Sequence, residues 1–244
     1  MTRLFFVLFG ILAYAMFLAT FLYLIGFVAD FDALPRTIDK GPARPWTFAL
    51  LVDLGLIGLF GIQHSVMARP AFKRDWTRLV PEPIERSVYL VASSVVLALV
   101  LWLWRPIPGH VWSVSTPAGL WLLTGLSLFG WAIVVVSTYL LNHFELFGLQ
   151  QVWLHFTGRD AAAPVLRKPL FYRAVRHPLY SGFLLAFWAT PVMSWGHLVF
   201  AAGMTAYVLI AIRHEERDLG ALFGEDYARY QREVGAIVPG IGRR

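Results

Sequence analysis

The chain contains no cysteine, and only 15% of its 244 residues are charged. Without a thiol the protein can have no disulfide, no cysteine nucleophile and no thiolate ligand for zinc or an iron–sulfur cluster. Soluble domains carry about 25% charged residues. Since 58% of the residues here are hydrophobic, the composition is typical of an integral membrane protein.

Long apolar stretches predict about six membrane spans. They cover residues 4–29, 46–67, 87–104, 117–141, 179–194 and 197–212. The first is too long for a signal-peptide core, so it is interpreted as a retained span. The expected fold class is all-α, a polytopic membrane helix bundle of one domain over 1–244, with a C-terminal helical hairpin and a tail helix.

Most basic residues lie in segments predicted to be on one side of the membrane. Of the 21 Lys and Arg residues, 17 lie in the segments that share a side with the N-terminus and four lie in the opposite loops, 30–45 and 105–116. The positive-inside rule therefore predicts that both termini are cytoplasmic. The net charge of +6 reflects topology, and no nucleic-acid partner is expected.

The last apolar stretch, residues 179–212, predicts a helical hairpin. As one helix its 34 residues would extend roughly 50 Å, against a hydrocarbon core of about 30 Å. Residues 191–196, which begin with a proline and end with a glycine, supply the break. The hairpin would leave and return on one side, so that Arg176-His177 meets Glu215-Glu216.

These polar pairs have a simple and a functional interpretation. Arg176 alone is typical of an interfacial anchor, and the two glutamates could pair with Arg213 and Arg217 in a solvated cluster. Alternatively, Arg176 at a helix N-terminus favours an anion, and Glu215 or Glu216 favours a cation or a polyol. Together they would suit a zwitterionic ligand.

Further ionisable residues are expected at the same membrane level. His64 ends the second span, and His143 and Glu145 follow the fourth. Ionisable groups in such positions indicate function. No two histidines are three or four residues apart, so no metal is expected; a haem or copper site assembled from separate spans is the alternative.

The second span also contains a carboxylate and three glycines. Asp53 lies toward the other leaflet and is expected to make a structural hydrogen bond. Gly55, Gly58 and Gly61 recur every three residues, which predicts a face for close helix packing.

The C-terminal third carries motifs that resemble those of isoprenylcysteine carboxyl methyltransferases and related membrane methyltransferases. The motifs are Arg176-His177-Pro178-x-Tyr180-x-Gly182, Glu215-Glu216-x-x-Leu219-x-x-x-Phe223-Gly224-x-x-Tyr227-x-x-Tyr230 and Val238-Pro239. The resemblance covers about residues 168–239 and implies binding of S-adenosylmethionine at the cytoplasmic face.

Other motifs extend the resemblance over nearly the whole chain, to bacterial methanethiol S-methyltransferases of the nurim family. They are Ile62-Gln63-His64-Ser65-Val66-Met67-Ala68-Arg69-Pro70, Ile84-Glu85-Arg86-Ser87, Trp104-Arg105-Pro106-Ile107-Pro108 and Asn142-His143-Phe144-Glu145-Leu146-Phe147-Gly148. The resemblance implies conversion of methanethiol to dimethyl sulfide by an enzyme of the bacterial inner membrane.

A zwitterionic donor fits the polar pairs. Arg176 would hold its carboxylate, Glu215 or Glu216 its ammonium or ribose, and an aromatic ring such as that of Trp153 its adenine or sulfonium. The residues expected to bind S-adenosylmethionine are Tyr172, Arg176, His177, Tyr180, Glu215 and Glu216.

The thiol must lose its proton, so His64 and His143 are the candidate bases, with Glu145 to orient or accept. The expected partners are a small thiol and membrane lipid, and the sequence makes no prediction of oligomeric state. The alternatives are methylation of a lipid, prenylcysteine or other thiol, a non-catalytic membrane scaffold, and a haem-linked membrane component.

Overall fold

The computed structural model describes residues 1–243 and is mostly helical. Its elements are α1 (Thr2–Val28), α2 (Trp46–Ala68), α3 (Pro70–Trp76), α4 (Glu82–Leu103), β1 (His110–Ser113), α5 (Pro117–Leu141), α6 (His143–Leu146), α7 (Leu149–Thr157), a 3-10 turn (Leu170–Arg173), α8 (Pro178–Trp188), β2 (Val192–Ser194), α9 (Trp195–Phe223) and α10 (Glu225–Glu233). The predicted all-α class is confirmed.

Within residues 1–243, five helices are long and apolar enough to cross a membrane: α1, α2, α4, α5 and α9. They also expose large apolar side chains, such as Leu12 at 69%, Leu51 at 72% and Trp121 at 79%. Water would disfavour so much exposed apolar surface, whereas lipid accommodates it. The protein is a multi-pass integral membrane protein.

The fifth predicted span, 179–194, differs from expectation because α8 ends at Trp188. Its 11 residues extend about 16 Å, which is less than the hydrocarbon thickness. Pro191 cannot continue a helix, and the chain goes on in extended form to β2, which pairs with β1. The Pro191 carbonyl accepts a hydrogen bond from the Val114 N–H at 2.9 Å.

Helix α9 continues well beyond residue 212, where the sequence analysis ended the last span. Glu215 and Glu216 therefore lie on α9 itself, in a segment of good helix formers. The helix stops at Gly224, whose φ of +54° favours glycine, and α10 follows. The predicted tail helix is thus the end of α9 followed by α10.

The chain divides into two compact units. Unit 1 holds residues 1–109, 143–163 and 194–199. In it α1 packs against α4 and α7, and α2 packs against α4. Ala13, Leu90 and Phe147 form a buried cluster, with Phe17 stacked on Phe147 at a ring distance of 4.2 Å.

Asp53 has a structural partner in unit 1. One of its carboxylate oxygens accepts a hydrogen bond from the Arg105 backbone N–H at 2.9 Å. Arg105 follows the end of α4 in a segment with two prolines, where backbone groups lack helical partners. The expected structural hydrogen bond is confirmed.

Unit 2 holds residues 110–142, 164–193 and 200 onward, and its close helix contact is between α5 and α8. A Cβ at Gly130 would lie 2.7 Å from the Gly182 carbonyl oxygen, and one at Gly182 would lie 2.6 Å from the Gly130 carbonyl oxygen. At Gly55 and Gly58, by contrast, a Cβ would meet nothing within 4 Å. The predicted packing role of those two glycines is therefore wrong: the close approach lies at Gly130 and Gly182.

Candidate functional site

In unit 2, the start of α8 is joined to the C-terminal tail by backbone hydrogen bonds. His177 precedes Pro178 and has a φ of −124° and a ψ of 62°, outside the helical region that proline disfavours for its predecessor. The N–H of Arg176 donates to the Gly235 carbonyl at 2.8 Å, and that of His177 donates to Ala236 at 3.0 Å. The tail after α10 therefore lies beside the residues that open the hairpin.

A buried ion pair joins the two arms of the hairpin. The Nε and Nη2 atoms of Arg176 donate to Oε1 of Glu216 at 2.8 and 2.5 Å. The two side chains are 1% and 4% exposed. The prediction that these polar pairs meet is confirmed, although they are 40 residues apart in the sequence.

Every guanidinium hydrogen of Arg176 has a protein acceptor. Nη1 donates to the carbonyls of Gln231, at 3.2 Å, and Val234. The second hydrogen of Nη2 donates to the Gly242 carbonyl at 3.1 Å. An arginine has five such hydrogens, and Glu216 takes the other two. Arg176 thus holds the tail against the hairpin.

His177 lies between the two glutamates. Its Nε2 atom is 3.2 Å from Oε1 of Glu216, and its Nδ1 atom is 3.6 Å from Oε2 of Glu215. The His177 side chain is 3% exposed, whereas that of Glu215 is 43% exposed. The ring of Tyr180 is 5.7 Å from the imidazole. Glu215 is therefore the accessible carboxylate of this cluster.

Three buried tyrosines complete the cluster in unit 2. The Tyr230 hydroxyl donates to the Tyr172 carbonyl at 2.5 Å, and burial raises the pKa of Tyr230 to about 12. Tyr227 is 1% exposed, its hydroxyl has no hydrogen-bond partner among residues 1–243, and burial raises its pKa. Burial likewise raises the pKa of Tyr172. The sequence analysis included Tyr227 and Tyr230 in a motif but did not predict them as site residues, although their spacing of three placed both on one helical face.

His64 in unit 1 is bonded at both ring nitrogens. Its Nε2 atom is 2.8 Å from the Tyr89 hydroxyl, and its Nδ1 atom is 3.2 Å from the Ser93 hydroxyl. The Arg86 guanidinium carbon lies 5.4 Å from the centre of the Tyr89 ring. Neither Tyr89 nor Ser93 was singled out from the sequence, because each resembles an ordinary span residue.

His143, also in unit 1, makes a different set of contacts. The Tyr14 hydroxyl is 2.7 Å from its Nε2 atom, and the ring of Phe147 is 4.8 Å away. Burial lowers the pKa of His143 and favours the neutral imidazole. Glu145 is exposed, and its backbone carbonyl accepts a hydrogen bond from Gln151. The hydrogen bonds described for His64 thus differ from those of His143 and Glu145.

Among residues 1–243 there is no group of three or more His, Asp or Glu side chains that could hold an ion.

The sequence model of the NnrU protein family matches residues 52–241. The chain is 46% identical over 244 residues to the methanethiol S-methyltransferase of Crocosphaera subtropica, an alignment that covers all of this chain and 95% of the relative. It is 49% identical over 233 residues to the methanethiol S-methyltransferase of Mycobacterium tuberculosis, with 96% of this chain and 95% of the relative covered.

A more distant similarity connects the chain with nurim of Xenopus laevis, at 26% identity over 246 residues, covering 93% of this chain and 86% of that protein. No solved structure matches the chain.

Proposed function

This chain belongs to the NnrU family, and we propose that it methylates methanethiol to dimethyl sulfide, with S-adenosylmethionine as the methyl donor. The observation that carries the proposal is identity of 46% and 49%, over nearly the full chain, to two proteins named methanethiol S-methyltransferase. The chain is accordingly a thiol S-methyltransferase.

The chemistry is a direct displacement. The thiolate sulfur forms a bond to a methyl carbon while the bond from that carbon to the sulfonium sulfur breaks. S-adenosylmethionine supplies the activated methyl group. Since a negative thiolate and a positive sulfonium become two neutral sulfides, surroundings of low dielectric constant favour the step over water. The protein has to align the reactants and remove the thiol proton.

The residues of unit 2 suit the donor. Glu215 presents an accessible carboxylate beside His177, which would bind an ammonium group or ribose hydroxyls. Tyr172 and Tyr180 would pack on the adenine or face the sulfonium. The buried hydroxyl of Tyr227 has no hydrogen-bond partner in the described part of the chain, as expected of a group that hydrogen-bonds a ligand or water.

Arg176 and Glu216 receive a positioning role in this proposal. All five guanidinium hydrogens of Arg176 bond to the protein, so a donor carboxylate would have to displace one of these bonds. We assign the pair to fixing His177 and the tail, and we assign donor contact to Glu215, with His177 beside it.

The thiol proton requires a base. A thiol with a pKa like that of cysteine, about 8.5, can transfer its proton to a neutral imidazole. We propose His64 as this base, with His143 and Glu145 as the remaining candidates. A small apolar thiol would enter from the bilayer. Because most basic residues lie in the segments predicted to be cytoplasmic, we propose that the active site lies near that face. The similarity to bacterial methanethiol S-methyltransferases supports the bacterial inner membrane as its location.

The proposal is tested with membranes from cells that express the chain, supplied with methanethiol and S-adenosylmethionine deuterated in its methyl group. Mass analysis of the headspace should find dimethyl sulfide with one deuterated methyl group. Membranes from cells with an empty vector are the control.

No labelled product above the control would reject the proposal. Labelled product from a prenylcysteine or a lipid, but none from methanethiol, would move the enzyme to another substrate class. Absence of S-adenosylmethionine binding by the purified protein would favour a non-catalytic scaffold.

A further inference from the structure

Both ring nitrogens of His64 are occupied, one by the Tyr89 hydroxyl at 2.8 Å and the other by the Ser93 hydroxyl at 3.2 Å. Tyr89 and Ser93 are 8% and 7% exposed, so solvent has little access to these two residues. A base must bond the proton that it removes. A thiol can therefore reach His64 only by displacing a hydroxyl or by acting through one.

The amide of Gln63 helps to orient this chain of hydrogen bonds. Its Nε2 atom can only donate, and it donates to the Ser93 hydroxyl oxygen at 3.3 Å. That oxygen can also accept from the Nδ1–H group of His64. In this arrangement the Nε2 atom of His64 is the acceptor, and the Tyr89 hydroxyl donates to it.

Charge distinguishes Tyr89 from Ser93 as the group that meets the thiol. The Arg86 guanidinium carbon lies 5.4 Å from the Tyr89 ring centre, and the Nε atom of Arg86 donates to the Leu146 carbonyl at 2.9 Å, which holds it in place. A fixed cation favours the negative charge that develops when a proton leaves sulfur or the phenol oxygen. A second tyrosine–histidine pair in unit 1, Tyr14 and His143, packs against the Phe147 ring.

We propose that Tyr89 relays the thiol proton to His64. The S–H bond breaks as an O–H bond forms on Tyr89, and the original Tyr89 proton moves to Nε2 of His64. The products are a thiolate and an imidazolium, with Tyr89 neutral again. This relay deepens the proposed function and rests on it, because it concerns only the deprotonation of the thiol.

Other charged groups near the relay affect its pH dependence. Arg69 closes α2, and its Nε atom donates to the Ser65 carbonyl at 3.1 Å. Glu85 precedes Arg86 on α4 and lies 4.0 Å from the Lys73 ammonium on α3. Because these charged groups also affect the electrostatic potential at the relay, the test varies the acidity of the thiol at a fixed pH.

The test compares Tyr89→Phe with wild type, using methanethiol and a small fluorinated thiol that is mostly thiolate at the assay pH. Loss of the relay should lower single-turnover methylation of methanethiol by about 100-fold or more. The acidic thiol needs no base, so its methylation should stay close to the wild-type rate. The affinity for S-adenosylmethionine, measured by calorimetry, should be unchanged.

Tyr23→Phe is the matched control. The Tyr23 hydroxyl donates to the Arg36 carbonyl at 3.0 Å, so this variant also removes one tyrosine hydrogen bond from unit 1. It should methylate both thiols at the wild-type rate.

An equal fall with both thiols, or no fall with methanethiol, would overturn the relay. A wild-type protein that binds S-adenosylmethionine but methylates neither thiol would instead overturn the proposed function. Where Tyr89→Phe does not fold, the solvent deuterium isotope effect on single turnover by wild type decides. A normal effect with methanethiol that disappears with the acidic thiol supports the relay, and no effect with either thiol contradicts it.

Discussion

At the scale of single residues, the buried pair of Arg176 and Glu216 dominates the candidate donor site. Removing two charges from water costs several kcal/mol for each ion, and their attraction offsets that cost only when the remaining donors and acceptors are satisfied. Here the second carboxylate oxygen of Glu216 accepts from Gln231 at 3.3 Å, and the other hydrogens of Arg176 bond to carbonyls. The pair is therefore stable while both partners are present, and removal of either partner should destabilise the protein.

Two neighbouring glutamates should separate folding from donor binding. Glu216→Gln leaves Arg176 buried without a counter-charge, and we expect it to lower the free energy of unfolding by about 3–5 kcal/mol. Glu215→Gln changes a half-exposed carboxylate, so it should leave unfolding nearly unchanged and weaken S-adenosylmethionine binding by about tenfold or more.

Denaturation in detergent measures the free energy of unfolding, and calorimetric titration measures the affinity for S-adenosylmethionine. Equal effects of both variants on unfolding would contradict the assignment of Glu216 as the buried partner. Full affinity in Glu215→Gln would remove Glu215 from the donor site.

At the scale of elements, α8 replaces one conventional span by a short helix and an extended segment. The Trp112 indole N–H donates to the Thr190 carbonyl at 3.0 Å, and the Pro191 carbonyl accepts from Val114. Backbone groups near lipid require such protein partners. Since β1 lies in the loop 105–116, which is predicted to be extracytoplasmic, its pairing with β2 favours a crossing completed by the extended segment.

The contact between α5 and α8 depends on backbone proximity at Gly130. A methyl group there would lie 2.7 Å from the backbone nitrogen of Ala186, so Gly130→Ala should destabilise the protein by about 1–3 kcal/mol. Gly125 is on the same helix, and a Cβ there meets nothing within 4 Å.

Gly125→Ala is therefore the matched control, and it should be neutral or stabilising by up to about 1 kcal/mol because alanine favours the helix. Thermal unfolding of both variants in one detergent makes the comparison. Equal stability of the two would mean that the helices can separate without cost.

At the scale of the whole molecule, the basic residues orient the chain. Because 17 of 21 Lys and Arg lie in segments assigned to one side, the loop 30–45 should be extracytoplasmic and the segment 142–178 cytoplasmic. The absence of native cysteine makes this directly measurable, since any introduced thiol is the only one in the chain.

Single cysteines at exposed alanines should report the orientation. Ala43→Cys should react with a membrane-impermeant maleimide in intact cells, whereas Ala161→Cys and Ala221→Cys should react only after permeabilisation. Labelling of Ala161→Cys in intact cells would contradict cytoplasmic exposure of that segment, and labelling of Ala221→Cys would contradict a cytoplasmic tail.

Much of the architecture is local in origin and could be predicted. An apolar run either is or is not long enough to cross a bilayer, so the sequence alone determined that the protein is a helical membrane bundle. A proline and a glycine in a stretch too long for one crossing likewise determined the hairpin. Chain geometry then required Arg176 and His177 to meet Glu216.

Only the tertiary structure decided which side chains already have hydrogen-bond partners within the protein and at which glycines two helix backbones come close together. Arg176 looked like a ligand for an anion, but acceptors from residues 231–242 occupy its remaining hydrogens. The sequence predicts His64 as a base, but in the structure its two ring nitrogens are hydrogen-bonded to the hydroxyls of Tyr89 and Ser93. Gly55 and Gly58 of α2 look like Gly130 of α5 in sequence, yet a Cβ would meet a neighbouring backbone at Gly130 and not at the other two. Such contacts depend on partners distant in the chain, which no local pattern specifies.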